Sequence, residues 1–324
     1  MTLFRILAIA ALAIFGAVAT ANADTWPSRT VRIVVPFPAG GANDLIARLL
    51  AEHFQKTIGG SYVVESVTGA GGNLGTDRVA KAAPDGYTLG LTSSGPLANN
   101  TLLYKNMPYD PQKNLTPIAL VAEFPMVLAV RTTLGTPTLK DFIALARSKP
   151  GALNVGNPGT GTMGHLTAEL FQSKAGITVQ SIPSPGGYAK SISSLLAGDL
   201  DGMSDVMNGN IISMVQSKKI TALAVTTRER FSGLPDTPTV IESGLPGFEA
   251  STVFALAGPA GLPQSIVETL NREVNRFVAS EGTKARFATL GARTMGGPPS
   301  AVSDMMVATI KQWKPVIEAA KIAF

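Results

Sequence analysis

Three glycine-rich loops hold the residues best placed to do chemistry. They read Pro36-Phe-Pro-Ala-Gly-Gly-Ala-Asn-Asp44, Gly69-Ala-Gly-Gly-Asn73 and Asn157-Pro-Gly-Thr-Gly-Thr-Met-Gly-His165. Each follows an apolar stretch that reads as a strand and precedes one that reads as a helix. The chemistry this favours is anion binding. The first N–H groups of a helix lack intrahelical partners and point at one spot, and the helix dipole adds positive potential there. An ordinary βα turn without a ligand fits the first loop equally well. Glycine lets the backbone come close to a ligand or turn with positive φ.

Other constellations weigh less. Gly159 to Gly164 matches G-x-G-x-x-G literally, but the next strand ends near Gln180-Ser181-Ile182 with no acid for a ribose hydroxyl. Of the two histidines, His53 reads as packing late on the first helix. His165 starts a helix, where it can donate to an anion, orient the loop or make a capping contact. Asn43 or Asp44 reads as a helix cap. Asp205 can reach a ligand ammonium or hold a loop through hydrogen bonds, and the second fits better. There is no cysteine, no H-E-x-x-H, no P-loop and no G-x-S-x-G. No cofactor, metal site or catalytic triad is expected, and hence no enzyme.

The elements that must position these loops alternate. Val31 to Val35, Tyr62 to Val67 and Tyr87 to Thr92 read as strands separated by helices, so the first part is a βαβαβ unit with a parallel sheet. The same logic returns with strands at 153–156, 177–182, 200–207 and 220–226. Pro117 to Ala122 and Met126 to Arg131 read as two strands, and 251–258 as a crossing. Long amphipathic helices are expected at 263–281 and 300–323. Ligands bind beyond the carboxyl ends of such strands. The expected fold class is α/β, with two lobes, each a mainly parallel sheet flanked by helices, and a ligand cleft between them. Lobe 1 takes 24–123 and 252–324, and lobe 2 takes 124–251.

At 324 residues, 45% hydrophobic and 15% charged, the chain is a well-packed globular protein. Its net charge of +5 is scattered, and no basic cluster carries interleaved aromatics, so no nucleic-acid partner is expected. The mild excess favours an anionic small molecule. Arg5, the apolar run Ile6 to Val18 and the small-x-small Ala21-Asn22-Ala23 read as an export signal cleaved after Ala23.

Taken together, several stretches resemble the periplasmic substrate-binding proteins of tripartite tricarboxylate transporters, the Bug family. They are Val34-Val-Pro-Phe-Pro-Ala-Gly-Gly-Ala-Asn-Asp44, Gly69-Ala-Gly-Gly-Asn-Leu-Gly-Thr76, Ala83-Pro-Asp-Gly-Tyr-Thr-Leu89, Tyr109-Asp-Pro111 and Gly159-Thr-Gly-Thr162 with His165-Leu166 and Glu169-Leu-Phe171. Leu234-Pro-Asp-Thr-Pro-Thr-Val240 and Glu242-Ser-Gly-Leu-Pro-Gly247 complete the set, in the family's order over nearly all of the mature chain. The resemblance implies a two-lobed receptor in the periplasm that closes on a small organic acid and delivers it to membrane permease subunits. A monomer is expected. By position, the resemblance implies a carboxylate site at Phe37, Ala39, Gly40, Gly41, Asn43, Ser93, Ser94, Asn157, Thr160, Gly161, Thr162 and His165.

The chain departs from the family pattern at Ser66-Val67 and at Pro183-Ser-Pro-Gly186, where an aromatic and two basic residues are replaced. Ser184, in place of a tyrosine, either enlarges the pocket or moves its polar contact. Specificity is expected from Pro183 to Tyr188 and Asp205, with a dicarboxylate, an amino acid and an aromatic acid all open. Two other uses are ligand-dependent docking to a sensor kinase and an exported enzyme acting on a small acid.

Overall fold

The computed structural model describes residues 26–184 and 187–324. The export signal and its cleavage site lie outside the described residues. So do Pro185 and Gly186 of the proposed specificity loop.

β1 (Val31–Val35) is the innermost strand of the first parallel unit; its β-branched residues are all buried and only Arg32 is exposed. α1 (Ala42–Thr57) follows, then β2 (Tyr62–Ser66), α2 (Asn73–Ala80) and β3 (Thr88–Ser93). β2 and β3 pair in parallel on the two sides of β1. α1 buries Ile46, Ala47, Leu50, Ala51 and Phe54, spaced at three and four residues. Leu45, beside Ile46 in sequence, lies off that face and is exposed. The helix begins at Ala42, after Gly41 and without a side-chain cap, so neither Asn43 nor Asp44 caps it. β3 runs through a π turn over Gly95–Asn99 into the short α3 (Asn100–Leu103) and then α4 (Pro111–Asn114).

β4 (Leu115–Arg131) is one strand of 17 residues where two were expected. Pro125 does not break it. Pro125 stands opposite Ser251, the first residue of β9 (named below), and its carbonyl accepts the Met207 N–H at 2.8 Å. A proline at the end of a ladder forfeits little pairing. The first part of β4 pairs in antiparallel fashion with β9; the second, from Met126, pairs with β7 and β8. One strand therefore belongs to both sheets.

The second unit comprises α5 (Leu139–Ser148), β5 (Asn154–Asn157), α6 (Met163–Ala175), β6 (Gln180–Pro183), α7 (Gly187–Ala197), β7 (Gly202–Val206), α8 (Gly209–Gln216) and β8 (Ile220–Val225). β5 pairs in parallel with β6 and β7. β9 (Ser251–Pro259) returns beside β3. α9 (Gln264–Ala279), α10 (Glu281–Leu290), the short β10 (Arg293–Thr294) and α11 (Pro299–Ala319) follow. Two sheets result, each flanked by helices, in a two-lobed arrangement.

α11 ties the halves together. Val302 and Met306 pack with Val34, Leu97 and Val253, whereas Trp313 and Ile317 share a cluster with Phe142, Phe171 and Phe248. The division read from the sequence gives all of 252–324 to the first lobe; within that stretch Trp313, Ile317 and Ile322 share their cluster with residues of 124–251 and with Leu103. The expected helix at 300–323 could not reveal this, because both halves of its apolar stripe look alike. The lobes also meet at Gly291, with φ of 89°, where a Cβ would come within 2.6 Å of Asn208 Cα. Only glycine allows that approach.

Candidate functional site

A cavity of about 550 Å³ lies between the two sheets. That is an ordinary size for a small-molecule site. Phe37, Asn43, Ser93, Asn99 and Asn100 line it from the first unit. Thr160, Gly161, Thr162, Met163, Gly164, Asp205 and Asn208 line it from the second. The joining strands add Phe124, Thr252 and Phe254, and Leu103, Tyr104 and Phe324 close one side.

The third glycine loop reaches the cavity as its sequence suggests. Thr162 caps α6 by accepting the His165 N–H, and its hydroxyl donates to the Gly159 carbonyl at 2.7 Å. Met163 and Gly164 are the first two helical residues, whose N–H groups have no intrahelical acceptor. Gly164 must lack a side chain, since a Cβ would lie 2.5 Å from the Ser204 carbonyl oxygen. The helix start is thereby pressed onto β7. Gly161 has φ of 75°, and a Cβ there would meet the Phe324 ring at 2.7 Å.

His165 is not on the cavity wall. Its Nδ1 accepts the Gly161 N–H at 3.1 Å, so it orients the loop and does not donate to a ligand through that nitrogen. Burial pushes its imidazole below the ordinary histidine range, against a smaller upward pull from Glu169. Asn157 is likewise behind the loop. It is fully buried, its Oδ1 accepts the Gly159 N–H at 3.0 Å, and its Nδ2 donates to Ser181.

The first glycine loop contributes less. Ala39, Gly40 and Gly41 are exposed and do not line the cavity. The Gly40 N–H donates to Asp44 Oδ2 at 3.0 Å, and the Gly41 N–H to the Pro38 carbonyl. Asp44 itself pairs with Arg48, whose guanidinium holds the carboxyl below the usual range, with the Gly40 N–H adding to that pull. A resident carboxylate thus occupies the N–H group expected to hold a ligand. Phe37 and Asn43, on either side, do face the cavity.

Ser93 lines the cavity, whereas the Ser94 hydroxyl is turned away and accepts the Val253 N–H at 3.4 Å. Ser184 is not on this cavity. Its hydroxyl is 3.0 Å from that of Ser191, and it borders a separate depression with Asn154, Lys190 and Asp199.

Asp205 is the decisive wall residue. It is 2% exposed, Oδ1 accepts the Val206 N–H at 2.7 Å, and Oδ2 has no hydrogen-bond partner among the described residues. Burial pushes its carboxyl up to about 7, and the Val206 N–H only partly offsets this. No described side chain lining the cavity belongs to lysine, arginine or histidine. Asp205 and the Tyr104 phenol are its only titratable side chains, and burial raises the latter. No nucleophile and base face each other on this wall. The arrangement can enclose and hydrogen-bond a molecule; it has no evident means of transforming one. Among the described residues there is no cluster fit to hold a metal ion, and no helix is long and apolar enough to cross a membrane.

Asn99, Asn100, Asn208, Thr252 and the aromatic wall were not expected from the sequence. Asn99-Asn100 stands just beyond Ser93-Ser94-Gly95, which is the only local hint. Phe124, Thr252, Phe254 and Phe324 arrive from distant strands and the last segment, where periodicity marks them as core.

Comparison with known proteins decides the family. The sequence model of the tripartite tricarboxylate transporter family receptors, TctC, matches residues 46–322. The chain belongs to this receptor family. It is 34% identical to the protein BugT of Bordetella pertussis over 323 residues, covering 98% of each chain. The R. palustris protein Rpa4515, solved with adipate, superposes with a TM-score of 0.82 at 34% identity, covering 92% of the receptor and 99% of that chain. The periplasmic binding protein BugD superposes with a TM-score of 0.77 at 32% identity, covering 92% and 99%. The receptor is thus a solute-binding protein and not an enzyme.

Proposed function

We propose that this receptor works in the periplasm, its leader removed after Ala23, and captures a small carboxylate in the 550 Å³ cavity as its lobes close. It then delivers the ligand, as a monomer, to the membrane subunits of a tripartite transporter. The observation that carries this reading is a cavity whose donors come from both sheets and are neutral. Asn43 and Ser93 offer amide and hydroxyl donors from one side; Thr160, Thr162 and the start of α6 offer hydroxyls and backbone N–H groups from the other. A hydrogen bond to a charged group contributes about 1.5–3 kcal/mol, and a micromolar complex needs about 8 kcal/mol net. Four or five such bonds, with burial of apolar surface, suffice after ordering costs.

Of the positions implied by resemblance, Phe37, Asn43, Ser93, Thr160, Gly161 and Thr162 are assigned here to direct contact, and Asp205, singled out from the residues themselves, joins them. Asn157 and His165 are assigned to holding the loop. Family membership and the adipate bound by a relative support a carboxylate as ligand.

A thermal-shift screen of residues 24–324 against mono-, di- and tricarboxylates, amino acids and aromatic acids tests the proposal. Ligand at about 100 times its Kd stabilises by about 2.7 kcal/mol, a clear midpoint shift. One class raising the midpoint, with the compound recovered unchanged, supports capture. No shift with any carboxylate sinks it.

A further inference from the structure

We infer that the cavity selects an α-amino acid with an apolar side chain, the carboxylate resting on the Thr160–Gly164 loop and the ammonium on Asp205. This rests on the carboxylate reading above and narrows it.

Three buried side-chain oxygens on the cavity wall have no hydrogen-bond partner among the described residues: Asp205 Oδ2, Asn99 Oδ1 and Thr252 Oγ1. The first two are acceptors. A buried acceptor without a donor is costly, so a ligand that supplies donors gains by filling them. An ammonium carries three donors and no acceptor.

Charge points the same way. Asp205 is the one acid on the described wall, with no lysine, arginine or histidine to balance its charge when it ionises. A dicarboxylate would bring a second negative charge into a space that already holds an acid and has no cation. A zwitterion brings one charge of each sign, and both have a complement.

The topology sets the spacing. β5 and β7 are neighbours in parallel register, with Val155 beside Gly202 and Gly156 beside Met203. The Thr160–Gly164 loop follows β5, and Asp205 is two residues beyond Met203 on β7. Adjacent strands lie about 4.8 Å apart. The carboxylate loop and the acid are therefore side by side, which suits an ammonium carried on the same carbon as the carboxylate. Phe37, Phe124, Phe254, Leu103 and Met207 form an apolar portion of the same wall, and a polar ligand side chain packed against them would lose its hydration.

The test compares acids that differ only in the ammonium. Binding of L-leucine against 4-methylpentanoate, and of L-phenylalanine against 3-phenylpropanoate, is measured by titration calorimetry on residues 24–324 at pH 7, with adipate alongside. The inference expects each amino acid to bind at least about tenfold more tightly than its deaminated partner, and Asp205→Asn to abolish that preference. In the unaltered protein the amino acid also releases protons on binding. The Asp205 carboxyl, raised to about 7 by burial, is partly protonated when free and ionises beside an ammonium. Calorimetry in two buffers of different ionisation enthalpy reads this without any variant. Equal or tighter binding of the deaminated acids or of adipate, or proton uptake, overturns the inference and leaves carboxylate capture standing. Binding of none of the five compounds overturns the inference; failure of the wider acid screen as well removes the capture reading.

Discussion

Met126 and Thr226 exchange hydrogen bonds at the point where the two sheets join. The Met126 N–H donates to Thr226 Oγ1 at 2.8 Å, and the Thr226 N–H donates to the Met126 carbonyl at 3.1 Å. The same hydroxyl donates to the Ala250 carbonyl at 2.6 Å, while the Ala250 N–H donates to the Thr226 carbonyl. Met126 and Ala250 are the places where the chain leaves one sheet for the other. One fully buried threonine thus fastens both connections between lobes.

Thr226→Val keeps the shape and removes the hydroxyl, leaving a buried donor and a buried acceptor unpaired. Each costs about 1–3 kcal/mol. Chemical denaturation is expected to show a loss in that range or above, and Thr226→Ser to recover most of it. Equal loss in both variants would mean that the methyl packing, and not the hydrogen bonds, holds the join.

Asp205 makes stability depend on pH. Its folded carboxyl titrates near 7, above the ordinary value of about 3.9 in the unfolded chain. A raised carboxyl pKa disfavours folding once the unfolded state ionises. The ligand-free protein therefore loses stability as pH rises from about 4 to about 7, and the loss is constant above that. Asp205→Asn lacks this component, so its stability relative to the unaltered protein should climb over that window by a few kcal/mol at most. Parallel curves for the two proteins between pH 4 and 8 would contradict the burial of an ionisable carboxyl here.

Gly161 faces the Phe324 ring. Gly161→Asp would set a negative charge against the ligand carboxylate. The positive φ and the 2.7 Å approach to the ring make any side chain there disruptive, so that variant confounds charge with strain. Gly161→Ala is expected to cost about 1–2 kcal/mol from the left-handed backbone, plus displacement of Phe324. Phe324→Ala in the same chain should relieve only the displacement. A double-mutant cycle measures the coupling, and strict additivity would show that the ring is free to move aside.

His165 can accept the Gly161 N–H only while its Nδ1 is unprotonated. Affinity is expected to fall as pH drops below the ordinary histidine range, because protonation turns the acceptor into a donor facing a donor. Replacement by Asn, whose oxygen can still accept, should flatten the low-pH limb of the affinity curve. An identical limb in that variant would place the pH sensitivity elsewhere.

Much of the fold is legible in the sequence because its signals are local. Val31–Val35 is found where a β-branched run is bounded by prolines, and α6 starts where Thr162 can cap it. The site is legible only in part. Thr160, Gly161 and Thr162 lie in a loop whose hydroxyls and glycines advertise it, and they do reach the cavity. Gly40 and Gly41 carry the same signal and do not, because Asp44 folds back onto the Gly40 N–H. Whether a helix start is open or already served by its own first-turn acid depends on a side-chain rotamer, which spacing does not encode. Phe324 reaches the wall through the register of α11 across two cores, a long-range outcome invisible to any window of sequence. Pro125 misled for the opposite reason: a local breaker is harmless where a partner strand begins.

The most direct measurement is a crystal structure of residues 24–324 with the acid that gives the largest thermal shift. The account predicts its carboxylate within hydrogen-bonding distance of the Thr160–Gly164 segment, enclosed between that loop and the Asn43 and Ser93 side. A carboxylate bound outside this cavity, for instance at the depression beside Ser184 and Lys190, would contradict the assignment of the site.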